Sequence, residues 1–194
     1  MNPIELLNTK RGIASQAIIR DRSERTGYLV QIGQSSQSVG VQTILENMRE
    51  NIPKDSYLVT AGCDGACHDA PKIVVVDSGG SKYTHARVES KELISIIENY
   101  KTNSQNDDSF LERQTRIALE RCGEIDSTDI NDYLINDGYK GLATALTMTP
   151  EEVITTVINS GLRGRGGAYF PAGQKWKGAR SVTVSYTHLR AHET

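Results

Sequence analysis

The chain has 194 residues, 37% of them hydrophobic, with 22 basic and 24 acidic side chains and a net charge of −2. This composition is typical of a globular protein of one or two domains, and no apolar run approaches the length of a membrane span. The near-neutral charge excludes a large basic surface for nucleic acid, and three cysteines without a signal-peptide core argue against a secreted disulfide scaffold. We therefore expect a cytoplasmic protein.

The first half of the chain predicts a small α/β domain. Residues 1–26 mix apolar and charged side chains without a clean period, so we expect a poorly ordered lead-in or a short helix there. Over residues 27–100 the predicted order is β-α-β-β-β-α. The strand YLVQIG is followed by the helix QTILENMREN and the strand SYLVTAG. KIVVVDSGGSKYTHARV then predicts two strands joined by a turn at Asp77–Gly80, and the serine-capped SKELISIIENY predicts the last helix. This order favours a thioredoxin-like sheet.

The second half predicts helices after a linker. Residues 101–109 contain no apolar side chain before Phe110, which predicts a linker and a domain boundary. SFLE has capping-box spacing, and the run after it predicts a helix through Leu119 that ends at Gly123. Further helices are predicted at Asp129–Ile135, in GYKGLATAL, and in TPEEVITTVINSG, where Thr149 is the N-cap, Pro150 the first helical residue, Glu152 the other half of the capping box and Gly161 the end.

The motif with the clearest chemistry is GLRGRGGAYFPAGQKW, residues 161–176. Glycines let backbone amides approach an anion closely and adopt positive φ, while arginine and lysine add charge-assisted hydrogen bonds, so the pattern indicates phosphate binding. A helix precedes the motif and Trp176 follows Lys175, which excludes both the dinucleotide fingerprint and the P-loop. The competing interpretation is a flexible surface turn with solvated arginines.

Four ordered motifs carry a family resemblance. FLERQTRIALERCGEID, DYLINDGYKGLATAL, MTPEEVI and SGLRGRGGAYFPAGQKW, within residues 110–177, resemble the start of the flavin- and NADH-binding subunit of respiratory complex I. The same block is typical of the diaphorase subunits of NAD(P)-linked hydrogenases and formate dehydrogenases, in which a thioredoxin-like ferredoxin domain precedes it, and that domain favours the hydrogenase-type subunits. Residues 27–100 resemble that ferredoxin domain. The implied fold class is α/β, with a thioredoxin-like domain, an α-helical segment and a glycine-rich loop that begins a truncated FMN-binding α/β domain.

The resemblance implies roles for residues of the loop. Gly164, Arg165, Gly166 and Gly167 would form a backbone cradle against FMN and NAD(P)H, joined by Gly173 of the same motif, with Lys175 near phosphate or flavin oxygens and Phe170 stacked on the adenine. The family usually has glycine where this chain has Tyr169. A side chain there would crowd the dinucleotide unless it points outward.

A second candidate site is the cysteine pair in GCDGACHDAP. The spacing of Cys63 and Cys67 matches the second C-x3-C pair of the family's [2Fe–2S] domain, so these are the candidate metal ligands. The first pair is missing, because Gln31 and Ser36 stand at its positions. A [2Fe–2S] centre normally needs four ligands, and histidine substitution by His68 or His85 has no spacing to support it. We expect loss of the cluster and two free loop thiols.

The remaining features receive structural interpretations. Cys122, beside Gly123, is expected to be a buried structural thiol. The tail from residue 178 leaves the family pattern, and VSYTHLRAHET resembles translated sequencing-adaptor text, so 178–194 is expected to be non-native and the chain a truncated product. The alternative is a strand at Val182–Tyr186 followed by a segment that carries His188 and His192.

The resemblance implies an NAD(P)H-oxidising flavoprotein subunit as the intact parent. There, hydride would pass from NAD(P)H to FMN and electrons would leave through iron–sulfur clusters, including a [4Fe–4S] cluster, to partner subunits. The fragment alone is expected to be inactive. The alternative function is a noncatalytic docking or assembly module with a cluster-free thioredoxin-like domain. The expected location is the cytoplasm, or the cytoplasmic face of a membrane through partner subunits.

Overall fold

The computed structural model describes residues 2–102, 104 and 109–182. Its helices are α1 (Pro3–Arg22), α2 (Gln34–Ser38), α3 (Val41–Asn51), α4 (Leu93–Asn99), α5 (Ser109–Glu112), α6 (Ile130–Ile135), α7 (Lys140–Ala145), α8 (Pro150–Asn159) and α9 (Ala172–Ser181). Its strands are β1 (Thr26–Ile32), β2 (Ser56–Gly62), β3 (Ile73–Val76) and β4 (Lys82–His85), and short 3₁₀ turns lie at Cys67–Asp69 and Ser90–Glu92. None of the helices in these ranges is long and apolar enough to cross a membrane.

The strands form one mixed sheet in the order β2-β1-β3-β4. β1 runs parallel to β2, with Ile32 opposite Gly62, whereas β1 with β3 and β3 with β4 are antiparallel. The crossover between the parallel strands contains α2 and α3, and α4 follows the β3–β4 hairpin. This is a thioredoxin-like α/β arrangement, so the predicted fold class and element order are confirmed, including the turn between β3 and β4.

Both faces of β1 are covered by apolar side chains. On one face Tyr28 and Val30 pack in a buried cluster whose other members are Val41, Ile44, Leu45, Met48, Ile73, Val75, Val88, Leu93 and Ile96. On the other face Leu29 belongs to a smaller cluster with Val59, Ala61 and Val74. The unbroken apolar run of β1 follows from its central position, because each face of a central strand is buried.

The expectation of a poorly ordered lead-in or short helix at residues 1–26 is wrong, since α1 is a 20-residue helix. Its apolar side chains lie on several faces, and Ile13 and Ile19 are exposed, which explains the absent period. Hydrogen bonds from arginine side chains, rather than an apolar face, attach α1 to the rest of the unit. Arg11 donates to the carbonyl oxygen of Gly138 at 3.1 Å, and Arg22 donates two hydrogen bonds of 2.9 Å to Asp132. Hydrophobic periodicity carries no signal for contacts of this kind.

The helix predicted from residue 109 through Leu119 is also wrong, because α5 ends at Glu112 and turns follow. The Arg116 guanidinium donates to the carbonyl oxygens of Leu119 and Cys122 at 2.7 and 3.1 Å, so a side chain takes acceptors that a continuing helix would use. Gly123 does adopt the predicted left-handed conformation, with φ of +90°.

The described residues divide into two compact units, Asn8–Gly138 on one hand and the described parts of Met1–Leu7 and Tyr139–Thr194 on the other. Residues after the predicted linker therefore group with the sheet; Ser127, for example, donates its amide to the Thr60 carbonyl at 3.3 Å. Most of the predicted linker, residues 103 and 105–108, lies outside the described residues, as does the tail from 183 onward. The assignment of domains by family stays a prediction.

The second unit contains the helix that the sequence specifies most fully. Thr149 caps α8 by accepting from the Glu152 amide at 3.3 Å, and Glu152 accepts from the Thr149 amide at 2.7 Å. Pro150 is the first helical residue, and Gly161 follows with φ of +66°. The predicted helices α6 and α7 are present as well, whereas α9, which includes residues 178–181 of the predicted tail, was not predicted.

The stability of the buried core can be tested at Met48. Met48 is fully buried in the larger cluster, so Met48→Ala removes transfer free energy and leaves a cavity. We expect a loss of about 2–5 kcal/mol in the free energy of unfolding, measured by urea denaturation. Glu50→Ala, at an exposed position of the same helix, is the control and should change it by less than about 0.5 kcal/mol. Equal effects of the two variants would contradict the assigned core.

Candidate functional site

The glycine-rich segment forms a closed loop between α8 and α9. The Gly164 amide donates to the Phe170 carbonyl at 2.8 Å, and the Ala172 amide donates to the Leu162 carbonyl at 2.9 Å. These two bonds pair the arms of the loop, so residues 165–169 form its tip. The loop leads directly into the N-terminus of α9, where helix amides and the helix dipole favour negative charge.

The glycines at the tip face open space. A Cβ placed at Gly166 or Gly167 would meet nothing within 4 Å, and neither amide has a protein partner within the described residues. The left-handed residues of this region are Gly161 and Tyr169, whereas Gly164, Gly166 and Gly167 do not have positive φ. The tip therefore offers accessible amides without needing glycine for its backbone angles.

Tyr169 has φ of +51°, a conformation that glycine adopts freely and that costs other residues roughly 1–2 kcal/mol. This is the position at which the family pattern has glycine. The ring is half exposed and lies under two guanidinium groups, with centroid distances of 5.5 Å for Arg163 and 5.8 Å for Arg165. Cation–π contacts of this type offset part of the backbone cost.

The positive charges of the loop are not neutralised by carboxylates of the described residues. Arg165 donates to the Arg163 carbonyl at 3.0 Å, and Lys175 is exposed in the first turns of α9. The salt bridges of the described part of the chain do not include Arg163, Arg165 or Lys175. Open amides beside uncompensated cations can bind a phosphate-bearing ligand.

Phe170 and Gly173, the other two predicted site residues of the loop, are placed differently. Phe170 is 49% exposed, so its ring is available for stacking. Gly173 is buried, and a Cβ there would lie 2.5–2.8 Å from side-chain and backbone atoms of Ile158. Gly173 therefore has a packing role, since it lets α9 approach α8 closely.

The cysteine pair lies in the other unit, at the end of the sheet where the parallel strands β1 and β2 both finish. The Sγ atoms of Cys63 and Cys67 are 3.9 Å apart, and the Gly65 amide donates to Cys63 Sγ at 3.3 Å. Cys67 is exposed and Cys63 half buried. Burial raises the pKa of the Cys63 thiol above its ordinary value, although the Gly65 amide acts in the opposite direction.

The two positions that lack cysteine belong to the same sheet end, and both are occupied by hydrogen-bonded polar side chains. The amide of the buried Gln31 side chain donates to Asp64 Oδ2 at 3.0 Å. Ser36, also buried, accepts from the Gly33 amide at 2.8 Å and donates to the Gly33 carbonyl at 3.0 Å. A Cβ at Gly33 would lie 2.9 Å from Cys63 Cβ, so the loops after β1 and β2 meet.

The residues present do not fit a [2Fe–2S] cluster, which needs four ligands, because two thiols face an amide and a hydroxyl already in use. The described residues contain no group of three or more histidine, cysteine, aspartate or glutamate side chains placed to hold a metal. His85 is buried and bonds through its ring to the Tyr100 carbonyl at 3.0 Å. Cys122, expected to be a buried thiol, is half buried.

A buried ion pair beside Cys63 was not anticipated from the sequence. Asp64 Oδ2 accepts from Lys72 Nζ at 2.7 Å, and Oδ1 accepts from the Ala66 amide at 2.8 Å; the Asp64 and Lys72 side chains are about 95% buried. Burial acts to raise the pKa of the Asp64 carboxyl, but hydrogen bonds from Lys72, Ala66 and Gln31 outweigh it and lower that pKa. The sequence offers one sign of this pair: Asp64 comes shortly after β2 and Lys72 directly before β3, and both strands are buried.

Three relatives are similar to part of the chain. The NADP-reducing hydrogenase subunit HndC of Solidesulfovibrio fructosivorans is 59% identical over 64 residues, which are 33% of this chain and 13% of that protein. The F subunit of NADH-quinone oxidoreductase from Aquifex aeolicus is 46% identical over 68 residues, 35% of this chain and 16% of that protein. The corresponding protein of Streptomyces coelicolor is 50% identical over 54 residues, 28% of this chain and 12% of that protein.

No family model matches the chain. The resemblance inferred from the motifs is nevertheless confirmed for about a third of the chain, because these relatives are F subunits of NADH-quinone oxidoreductase and a subunit of an NADP-reducing hydrogenase. The chain spans less than a fifth of the length of each of them.

The left-handed backbone at Tyr169 can be tested by two substitutions. Tyr169→Gly and Tyr169→Ala both remove the ring, but only glycine adopts positive φ freely. We expect the glycine variant to have the larger free energy of unfolding, by about 0.5–1 kcal/mol. The control pair is Lys177→Gly and Lys177→Ala in α9, where alanine should be favoured by about 1 kcal/mol. An alanine variant at 169 that matches the glycine variant would contradict the left-handed assignment.

The Asp64 carboxylate should make the free energy of unfolding depend on pH. Because its folded pKa is lowered, its stabilisation is present above the ordinary carboxyl pKa of about 4 and is lost as pH falls through the folded value. Asp64→Asn leaves Lys72 without its anion and should reduce the free energy of unfolding at pH 7 by about 3 kcal/mol, with the difference from wild type shrinking below about pH 4.

Urea unfolding at several pH values measures this effect. The matched control is Asp55→Asn, at an exposed carboxylate, which should differ little from wild type at any pH. A constant difference between Asp64→Asn and wild type from neutral to acid pH would show that the ion pair does not supply the stabilisation.

Proposed function

We propose that residues 161–176 form the glycine-rich edge of a flavin and NAD(P)H site in an NAD(P)H-oxidising oxidoreductase subunit. The observation that carries the proposal is the loop tip, where Gly166 and Gly167 have open space at their Cβ positions, their amides have no protein partner within the described residues, and the neighbouring cationic side chains form no salt bridge there. Such a surface binds the phosphates of a dinucleotide or a flavin mononucleotide. The similarity to the F subunit of NADH-quinone oxidoreductase and to the NADP-reducing hydrogenase subunit supports the same assignment.

The residues present fit one edge of such a site. Gly166 and Gly167 would donate backbone hydrogen bonds, Arg165 and Lys175 would add charge, and the half-exposed Phe170 ring would stack on the adenine. Gly164 acts differently, because its amide closes the loop by bonding Phe170. When bound, FMN supplies the hydride-accepting chemistry, and the protein supplies binding and orientation.

The left-handed backbone at Tyr169 is relevant to affinity. Its ring lies under both loop arginines, so the guanidinium groups are held at the tip but are partly engaged by the ring. A ligand phosphate would have to compete with these cation–π contacts, each worth about 0.5–1 kcal/mol when exposed. We infer that nucleotide affinity is lower than with glycine at this position.

The chain spans a small part of the relatives, so the rest of the site and the activity of a whole subunit are part of the proposal. The proposed partners are other electron-transfer subunits of a multisubunit complex, which would accept electrons through iron–sulfur clusters. The proposed location is the cytoplasm or the cytoplasmic face of a membrane.

A chimera tests the loop in a complete site. Residues 110–177 replace the matching segment of the hydrogenase subunit HndC, and NAD(P)H-to-ferricyanide turnover and FMN content are measured. We expect an active chimera. Gly166→Val should abolish turnover, because the valine side chain enters space that the protein leaves open and blocks only the ligand. Lys175→Ala should lower turnover or cofactor affinity by about one to two powers of ten, since it removes one charge-assisted contact.

Two control variants separate binding from folding. Lys177→Ala removes an exposed charge from the same helix, two residues beyond Lys175, and should keep turnover. Gly173→Val should instead destabilise the protein, because a side chain there collides with Ile158. Full turnover and normal FMN content in both Gly166→Val and Lys175→Ala chimeras would show that the loop is structural only.

A further inference from the structure

We propose that Cys63 and Cys67 form a dithiol site that closes to an intramolecular disulfide by exchange with a small-molecule disulfide. The inference concerns the unit that contains the sheet and is independent of the proposed nucleotide loop. It depends on three observations: the sulfur separation, the loop between the two residues, and the engagement of the neighbouring polar side chains.

The two sulfur atoms are close enough to bond after a small movement. They are 3.9 Å apart, whereas a disulfide bond is about 2.05 Å long, so closure requires the two sulfur atoms to approach each other by about 1.9 Å. Gly65, between the two cysteines, has φ of +100° and open space at its Cβ position, so the loop is tightly turned and sterically unobstructed.

The surroundings hold the pair together, with the Gly65 amide donating to the half-buried Cys63 sulfur at 3.3 Å and the Cys67 sulfur exposed. Asp64, between the cysteines, is fixed by Lys72 and Gln31, which anchors the loop at the end of β2. Ser36, the other polar side chain at this sheet end, bonds to its own loop at Gly33. Within the described residues the two thiols therefore have each other as the nearest reactive partner.

Exposure sets the order of the chemical steps. The exposed Cys67, as thiolate, attacks one sulfur of the small disulfide, whose S–S bond breaks and releases one thiolate. Cys63, as thiolate, then attacks Cys67 Sγ in the mixed disulfide and releases the second thiolate. The protein loses two electrons and two protons, and the small disulfide is reduced to two thiols.

Intact-mass analysis tests the proposal on the full 194-residue chain. The reduced protein is treated with excess oxidised glutathione at about pH 8, near the ordinary thiol pKa, and remaining thiols are alkylated with iodoacetamide. We expect the number of alkylated cysteines to fall from three to one, with the loss of two hydrogens and no retained glutathione. Peptide mapping should place the remaining alkyl group on Cys122.

Single variants give the control outcomes. Cys63→Ser should stop at the mixed disulfide and retain one glutathione on Cys67, whereas Cys122→Ser should close as wild type does. Circular dichroism checks that each variant keeps its fold. The proposal is overturned if wild type retains glutathione as Cys63→Ser does, or if Cys63 and Cys67 both remain open to alkylation after the treatment.

Discussion

The buried ion pair between Asp64 and Lys72 ties together three segments at one end of the sheet. Asp64 lies in the loop after β2, Lys72 directly precedes β3, and Gln31 near the end of β1 donates to the same carboxylate oxygen. The Gln31 backbone amide also donates to the Lys72 carbonyl at 3.1 Å. Charged groups this deeply buried are stable only when paired and fully hydrogen-bonded, so the three segments depend on one another.

The hydrogen bonds around Asp64 engage one of the positions at which a [2Fe–2S] domain would have a cysteine. Parallel pairing of β1 with β2 brings the loops after both strands to one edge, where a four-thiolate site would form. Here Gln31 stabilises Asp64 instead, so of positions 31, 36, 63 and 67 two carry thiols, Cys63 and Cys67. The glycine-rich loop contrasts with this site, because the Gly166 and Gly167 amides have no protein partner within the described residues, whereas the polar groups around Asp64 are hydrogen-bonded within the protein.

Local rules predicted the elements that local interactions stabilise. The capping box at Thr149 predicted α8, and the apolar side chains of β1 predicted a buried strand, which is covered on both faces. Features fixed by distant side chains were not predictable: α1 depends on pairs such as Arg22 with Asp132, more than a hundred residues away. The glycine-rich motif marked the candidate residues, but the left-handed backbone at Tyr169 could not be predicted from the sequence, because tyrosine rarely adopts it.

The most direct measurement is anaerobic reconstitution with iron and sulfide of the wild-type chain and of the double variant Gln31→Cys with Ser36→Cys, followed by visible absorption and iron analysis. We expect no cluster in wild type. We expect a [2Fe–2S] spectrum in the double variant, because the shared sheet end then presents four thiols while Lys72 and the Ala66 amide still hold Asp64. A stable cluster in wild type, or none in a folded double variant, would contradict the assignment of this sheet end.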